Sequence, residues 1–182
     1  MEPDRKEIPP VPKSQTVPVS IGSVLELLPP FPIVLVTTRT NIITIGQLEY
    51  FTFAPLRLGI GVAHSRYSHG LLNEEREFVV NVPDSGLVDA VRLCGSVSGR
   101  DQDKFETADL SREPSSVVQA VSIAQCRAKI ECKIDTVVDF EKRTWFIGQV
   151  VAAWKDEGFS GRDGLLCDRS GYVLVGPELA PR

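Results

Sequence analysis

The stretch "CRAKIECKID", residues 126 to 135, alternates charged and apolar side chains over its whole length. Successive side chains of a β-strand point to opposite faces, so this period of two predicts a strand with one buried and one solvated face. The turn "DFEKR" (139–143) and the run "TWFIGQVVAAW" (144–154) follow it, which predicts an antiparallel hairpin. A half-buried hairpin of this kind is typical of an antiparallel β-fold.

The rest of the chain predicts more short strands than helices. Short β-branched or apolar runs predict strands at residues 31–38, 41–46, 50–63 with a break at Ala54-Pro55, 77–82 and 171–176. Helices are predicted at residues 22–28, 68–77 and 85–95, the last capped by Ser85 with Leu87, Val88 and Val91 on its apolar face. Many short strands with few helices favour a barrel over a parallel sheet with alternating helices.

Composition and charge narrow the class of protein. The 182 residues suit one domain, and the Pro-rich residues 1 to 19 predict an extended arm before a single domain over residues 20 to 182. The net charge of −4 provides no basic field that would attract nucleic acid or an anionic membrane, so any anion site has to be local. No run approaches the ~20 apolar residues of a membrane helix, and no signal peptide is recognisable. We therefore expect a cytoplasmic protein with no nucleic-acid or membrane partner.

The cysteines and histidines do not form a motif for metal binding. Cys94, Cys126, Cys132 and Cys167 contain no CxxC pair, and we expect reduced, buried thiols, with Cys94 in the core and not a nucleophile. His64 and His69 have no carboxylate cluster beside them in the sequence. They are predicted to be structural or exposed, with an acid–base role for His64 as the alternative. No metal site is predicted.

Two short segments have a functional and a purely structural interpretation. In "AHSRYS" (63–68), Ser65, Arg66 and Ser68 offer hydroxyls, amides and a guanidinium between a strand and a helix, which suits a phosphate monoester. A capped helix with a surface arginine explains the same residues. In "NIIT" (41–44), either Asn41 makes an Asx turn, or the segment presents polar groups to a planar ligand.

These segments, taken together, resemble a known family. "FPIVLVTT", "NIIT", "HSRYS", "EFVVNVP", "LCGSVSGRDQDKF", "ECK" and "FIGQV" occur in the order found in the flavin reductase-like, FMN-binding split-barrel family, and most resemble its flavoredoxin-type branch. The resemblance runs from about Phe31 to Trp154. It implies a mainly β split barrel with short helices and Greek-key-like connections. It also implies a homodimer with one FMN per subunit near the subunit interface.

The resemblance also implies which residues bind the cofactor. Those that would border the flavin ring and ribityl chain are Asn41, Ile42, Ile43 and Thr44. Those that would hold the phosphate are Ala63, His64, Ser65, Arg66 and Ser68, with Lys104 completing its neutralisation. In "SGRDQDKF" (98–105), Phe105 would anchor the loop in the core, and Arg100 would pair with Asp103, with a role across the dimer interface as the alternative.

Three functions fit this resemblance. The first is an NAD(P)H-dependent flavin reductase, with NADH or NADPH as the reductant and a redox protein or monooxygenase as a possible partner; hydride transfer to FMN needs no protein acid or base, so no catalytic residue is predicted. The second is a flavoredoxin-like electron carrier, and the third is a ligand-binding barrel without turnover. The chain departs from the family pattern near the expected flavin face, with Thr38-Arg39-Thr40 before Asn41 and a single Pro55 instead of two prolines.

Overall fold

A computed structural model of the chain describes residues 20–21, 27–168 and 171–175. The strands within these residues are β1 Phe31–Pro32, β2 Val34–Thr37, β3 Ile42–Ile45, β4 Leu48–Phe53, β5 Leu56–Ala63, β6 Glu77–Val82, β7 Arg112–Glu113, β8 Ser122–Ile123, β9 Ala128–Phe140, β10 Arg143–Lys155, β11 Leu166–Cys167 and β12 Tyr172–Val173. The helices are α1 Tyr67–Glu75, α2 Val88–Ser96 and α3 Lys104–Thr107, with 3₁₀ turns at Ser85–Leu87 and Gly161–Asp163.

The predicted hairpin forms the centre of the main sheet. β9 and β10 are 13 residues each and pair antiparallel from Arg143 opposite Phe140 to Lys155 opposite Ala128. The sheet has seven antiparallel strands in the order β3-β2-β6-β9-β10-β5-β4, and it curls into a half-barrel. The predicted mainly β split barrel with short helices is therefore confirmed.

Strand β2 is buried on both faces. Val34 and Val36 belong to the core inside the curled sheet, together with Phe78 and Phe146. Leu35 belongs to a second core that the sheet shares with α2 and α3. Because successive side chains of a strand alternate between faces, a strand covered on both sides reads as a continuous apolar run, as this one does.

Several predicted boundaries are confirmed and others are wrong. The break at Ala54-Pro55 separates β4 from β5 as predicted, and β6 has the predicted bounds. The segment predicted as one strand at residues 31–38 forms the two strands β1 and β2, and the last predicted strand is only β12. The predicted arm (1–19) and most of the predicted helix at residues 22–28 lie outside the described residues.

The helix predicted at residues 85–95 begins differently from expectation. Ser85 is not its cap: Asp84 accepts a hydrogen bond from the amide of Gly86 at 2.9 Å, and a 3₁₀ turn precedes α2. Asp84 provides the same cap chemistry one residue earlier. The predicted apolar face is confirmed, since Val91 is fully buried and Leu87 and Val88 pack against the second core.

The free thiols lie mostly inside the protein. Cys94, Cys126 and Cys132 are buried and Cys167 is half-buried, and none of the four forms a disulfide. Burial raises the pKa of Cys94 to about 11, so the thiol stays protonated at neutral pH. The prediction of Cys94 as a buried core residue is confirmed. Among the described residues, no helix has the length and apolar character that crossing a membrane requires.

The face of β9 that was predicted to be solvated is covered at Glu131. This residue is 1% exposed because the loop at residues 114–121 lies over it. Its carboxylate accepts hydrogen bonds from the amides of Ser116 at 2.9 Å, Val117 at 2.7 Å and Val118 at 3.2 Å. Glu131 therefore holds the loop on the sheet as an anionic acceptor.

We expect Glu131→Gln to lower the free energy of unfolding by about 3 kcal/mol at neutral pH, because a neutral amide replaces a charged acceptor. Burial raises the pKa of Glu131, but the hydrogen bonds from the loop outweigh it and leave the pKa lowered. A lowered folded-state pKa means that this stability is present above the unfolded pKa of about 4.3 and is lost as pH falls through the folded pKa. Urea unfolding at several pH values measures the difference.

The exposed Glu157 provides the control, since Glu157→Gln should change the free energy of unfolding by less than about 0.5 kcal/mol. The difference in free energy of unfolding between the wild type and Glu131→Gln should become smaller below about pH 4. A gap that is constant with pH would show that the charge of Glu131 does not hold the loop.

Candidate functional site

A small polar cavity of about 160 Å³ lies where β3, the start of α1 and the end of α2 meet. Three cationic side chains line it, those of Arg66, Arg100 and Lys104, and no carboxylate occurs among its described lining residues. The remaining lining is Asn41, Ile43, Ser65, Tyr67, Ser68, Cys94, Ser96, Val97, Ser98 and Gly99. A protein of net charge −4 thus concentrates positive charge and hydroxyl groups at one place, which suits an anion.

Lys104 is buried at the base of this cavity, with 5% of its surface exposed. Its ammonium donates to the carbonyls of Ile42 and Cys94, each at 2.8 Å, and so joins β3 to α2. An ammonium has three protons, so one is left for the cavity that Lys104 lines. Burial lowers the pKa of Lys104, and the nearby Arg66 lowers it further. Two cations held together in this way favour the arrival of an anion.

The predicted pairing of Arg100 with Asp103 is wrong. Asp103 caps α3 by accepting from the amide of Phe105 at 2.9 Å, and it pairs with Arg112 at 2.7 Å, which lowers its pKa. Arg100 instead lies with its guanidinium carbon 5.3 Å from the centre of the Tyr67 ring. The predicted role of Phe105 is confirmed, since it is 1% exposed in the second core.

The start of α1 faces the small cavity without a side-chain cap. The N-cap residue is Arg66, and no side chain there accepts a hydrogen bond from the helix. Ser68 is buried and accepts from the Asn41 amide nitrogen at 2.8 Å. The interpretation of this segment as a helix capped by serine is therefore wrong. A Cβ on Gly99 would lie 2.1 Å from the Asn41 Oδ1, so only glycine allows this approach.

A larger cavity of about 660 Å³ adjoins the small one. The two share Ile43, Ser65 and Arg66. The other residues around the large cavity are Phe31, Pro32, Thr44, Ile45, Gly46, Gln47, Leu48, Glu49, Gly61, Val62, Ala63, Arg143 and Trp145. It lies between β3 and β5, where the two ends of the curled sheet approach each other.

Arg143 and Trp145 line the large cavity and were not predicted. In the β5–β10 register, Arg143 lies opposite Ala63 and Trp145 opposite Gly61, so alternate residues of both strands share the face toward the cavity. Arg143 donates to the Gln47 Oε1 at 2.6 Å and to the Gly61 carbonyl at 3.3 Å. The alternation of side chains along "TWFIGQVV" shows which residues share a face of β10. That this face lines a cavity becomes clear only when the pairing of β10 with β5 is known.

Three predicted residues use their side chains elsewhere. Ile42 is fully buried in the second core and lines neither cavity. Thr44 lines the large cavity, but its hydroxyl donates to the carbonyl of Val91 at 2.6 Å and so fixes α2. The His64 side chain is outside both cavities, although Ala63 and Ser65 on either side of it line them. Ligand contact by each of these residues stays a prediction.

His64 lies in a separate surface pocket with a carboxylate that the local sequence did not provide. Its Nε2 is 2.7 Å from Asp139 Oδ1, and these residues are 75 positions apart. The Nε2 of His69 is 2.8 Å from the Thr144 hydroxyl in the same pocket. The end of β9 thus brings to the two histidines a carboxylate that is distant from them in the sequence.

Comparisons with known proteins place the chain in a family. The sequence pattern of the flavin reductase like domain matches residues 29–175. An uncharacterised protein of Archaeoglobus fulgidus is 32% identical over 147 residues, which cover 79% of this chain and 82% of that protein. Flavoredoxin from Methanosarcina acetivorans has a TM-score of 0.82 at 23% identity over 92% of this chain and 95% of its own. An FMN-binding protein from Thermus thermophilus has a TM-score of 0.79 at 23% identity over 93% and 99% of the two chains. Since the family pattern spans most of its length, the chain belongs to the family of flavin reductase like domains.

Proposed function

We propose that this protein binds FMN and transfers electrons through it as an NAD(P)H-dependent flavin reductase. The observation that carries the proposal is the small cavity with Arg66, Arg100 and Lys104 and with no carboxylate in its described lining. It opens beside a cavity about four times as large, with shared walls at Ser65 and Arg66. A compact anionic group next to a broad planar one fits this pair of cavities.

The small cavity is suited to the phosphate of FMN. A phosphate monoester carries a charge of about −1.5 to −2 at neutral pH and has strong acceptor oxygens. Arg66 and the remaining proton of Lys104 provide charge-assisted donors, and the start of α1 adds the partial positive charge of a helix N-terminus. The Ser65 hydroxyl provides a further donor. Neutralisation needs more than one cation, which this cavity has.

The large cavity is suited to the flavin ring. Trp145, Leu48 and Ile45 provide apolar surface, and Arg143 provides a positive charge fixed by Gln47. A fixed cation at this wall stabilises negative charge that develops on a bound ring, in the manner of an oxyanion hole. When bound, FMN supplies the hydride and electron chemistry; the side chains bind it, orient it and set its electrostatic surroundings.

The structural similarity to a flavoredoxin provides the alternative function. Under this alternative the bound flavin exchanges electrons with a redox protein and reacts little with NADH or NADPH. The third possibility, a barrel that binds a ligand without turnover, predicts no reduction by either donor. We propose a cytoplasmic setting for the reductase, with a monooxygenase or redox protein as the possible acceptor.

We also propose that the protein is a homodimer joined along β4. This strand is at one edge of the sheet, and five of its six residues are exposed. Tyr50 is 62% exposed and Phe53 is 77% exposed, and their rings contact each other with centroids 5.1 Å apart. An exposed apolar edge strand is a surface that proteins normally cover. Gln47 and Glu49 of the large cavity lie at the start of this strand, so a second copy would approach the flavin site.

Replacing Arg66 tests the phosphate site directly. Arg66→Gln should weaken FMN binding about ten- to a hundredfold, the range for one hydrogen bond to a charged group, and should leave riboflavin binding almost unchanged. Riboflavin has the same ring without the phosphate. Fluorescence quenching titrations of the apo-protein with both flavins give the two dissociation constants.

Arg92 lies on α2 outside both cavities, and Arg92→Gln is the matched control. Lys104→Met should likewise weaken FMN binding much more than riboflavin binding. It should also lower the free energy of unfolding, because the ammonium joins β3 to α2. Equal losses for FMN and riboflavin with Arg66→Gln would place the phosphate elsewhere.

Anaerobic mixing with a reductant tests the reaction. The yellow colour of the FMN-loaded protein should bleach within the turnover time of a typical enzyme, about 0.1 s, on addition of NADH or NADPH. Bleaching only by a reduced redox protein supports the carrier. A protein that does not take up FMN at all supports the ligand-binding barrel.

Sedimentation tests the homodimer. The wild type should sediment at about twice its chain mass of 20.0 kDa, and Phe53→Arg should shift it toward the monomer by placing an unpaired charge in the interface. Val117→Arg changes another exposed apolar side chain, on the loop at residues 114–121, and should leave the dimer intact. A wild-type monomer that holds FMN would overturn the dimer.

A further inference from the structure

His64, His69 and Asp139 come from three separate elements and meet in one surface pocket. His64 follows the end of β5, His69 lies in the first turn of α1, and Asp139 is near the end of β9. The pocket has a volume of about 300 Å³, and its other lining residues are Asn73, Val137 and Thr144. The flavin proposed above does not need this pocket, because none of the three side chains lines either of the two cavities.

The three side chains are close enough to share one ion. Their nearest ligand atoms all lie within 4.8 Å of one another, and His64 and Asp139 are 2.7 Å apart. Four ligands around zinc at about 2.0–2.1 Å are about 3.4 Å from each other. The longest separation must therefore close by little more than an ångström. The side chains of His64 and Asp139 are 37% and 67% exposed, so rotation about their own bonds can provide that movement.

The carboxylate of Asp139 is exposed to an arriving cation. The Thr144 hydroxyl and His64 lower the pKa of Asp139, which stays an anion. Within the part of the chain that the structure describes, His64 is the only ion-pair partner of this carboxylate. An arriving cation thus has no lysine or arginine to displace from Asp139.

The ligand set selects the class of metal. Two imidazoles and one carboxylate are borderline ligands that suit zinc and its neighbours in the first transition row, and suit magnesium or calcium poorly. Three of the four thiols that could compete for zinc are buried, and burial raises the pKa of each. They therefore stay protonated, whereas zinc binds the thiolate. His64 and His69 are the only histidines of the chain, so any imidazole site must use them.

We propose that His64, His69 and Asp139 bind one divalent transition-metal ion of the zinc class, with water at the open positions. The ion joins the end of the β9–β10 hairpin to the segment between β5 and α1. Ser65 and Arg66 of the small cavity lie on that segment. Metal binding therefore fixes the backbone on which one wall of the anion cavity is built.

The hydrogen-bonded chain already present is the structural alternative. His64 contacts Asp139, Thr144 contacts Asp139 at 2.6 Å, and His69 contacts Thr144. This chain holds the hairpin to α1 without an ion. The two accounts differ in the effect of added zinc. A metal site predicts that zinc binds and stabilises the protein, whereas the hydrogen-bonded chain alone predicts no effect.

Calorimetric titration of the tag-free, FMN-loaded protein with zinc chloride separates these accounts. We expect one equivalent to bind, and His69→Gln and Asp139→Asn each to weaken binding at least about tenfold. Asp135→Asn removes the same charge from an exposed position of the same strand, and Cys167→Ser removes the most accessible thiol; both should bind as the wild type does. Circular dichroism confirms that each variant is folded.

Two further readouts do not depend on the calorimeter. Zinc should raise the thermal midpoint of the wild type and of Asp135→Asn, and should not raise that of Asp139→Asn. Cobalt in place of zinc should give visible d–d bands without the charge-transfer band of a thiolate ligand. The proposal is overturned if the wild type does not bind zinc, if the His69 and Asp139 variants bind it unchanged, or if Cys167→Ser abolishes binding.

Discussion

The buried ammonium of Lys104 is the interaction on which the polar cavity depends. It bonds to the carbonyls of Ile42 on β3 and Cys94 on α2 at 2.8 Å each, so both walls of the cavity are fixed by one side chain. No carboxylate lies within ion-pair distance of it among the described residues. A buried charge without a counterion is costly, and an anion in the cavity removes part of that cost. The same contact that builds the fold therefore favours an anionic ligand.

The second constraint is the curl of the sheet. β3 and β4 are at opposite ends of the strand order, yet the curl brings β3 close to β5 and leaves the large cavity between them. The Gln47 side chain packs directly over Gly61 of β5, where an added Cβ would lie 2.3 Å from the Gln47 Oε1. Arg143 then reaches both Gln47 and the Gly61 carbonyl from β10. The cavity is thus a consequence of how the barrel closes.

The sequence predicted what depends on local pattern. Alternation predicted the β9–β10 hairpin, and residues 65–68 of the polar segment line the small cavity. The wrong predictions are those that depend on tertiary contacts. The predicted partner of Asp103 was Arg100, because a sequence shows only which residues are neighbours along the chain. In the folded protein, β7 brings Arg112 to Asp103 instead. Glu131 was expected in solvent because no local pattern shows that a loop will cover it.

Pairing between distant strands explains the residues that were missed. Arg143 needs the β5–β10 register to be seen as a cavity residue, and Asp139 reaches His64 across 75 positions. The family resemblance predicted the fold, and Arg66 and Lys104, which it implies as phosphate ligands, line one cavity. It did not give the second task of Lys104, which is to hold the backbone of two elements together.

Phosphorus NMR of FMN bound to the protein tests the central claim most directly. The phosphate of free FMN loses its second proton with a pKa of about 6, and its resonance moves with that ionisation. A phosphate bound in the small cavity would have three cations around it, and these should stabilise the dianion and lower this pKa. The account predicts that the bound resonance stays at the dianion position as pH falls from about 8 to about 5. A bound resonance that titrates near pH 6, as free FMN does, would contradict it.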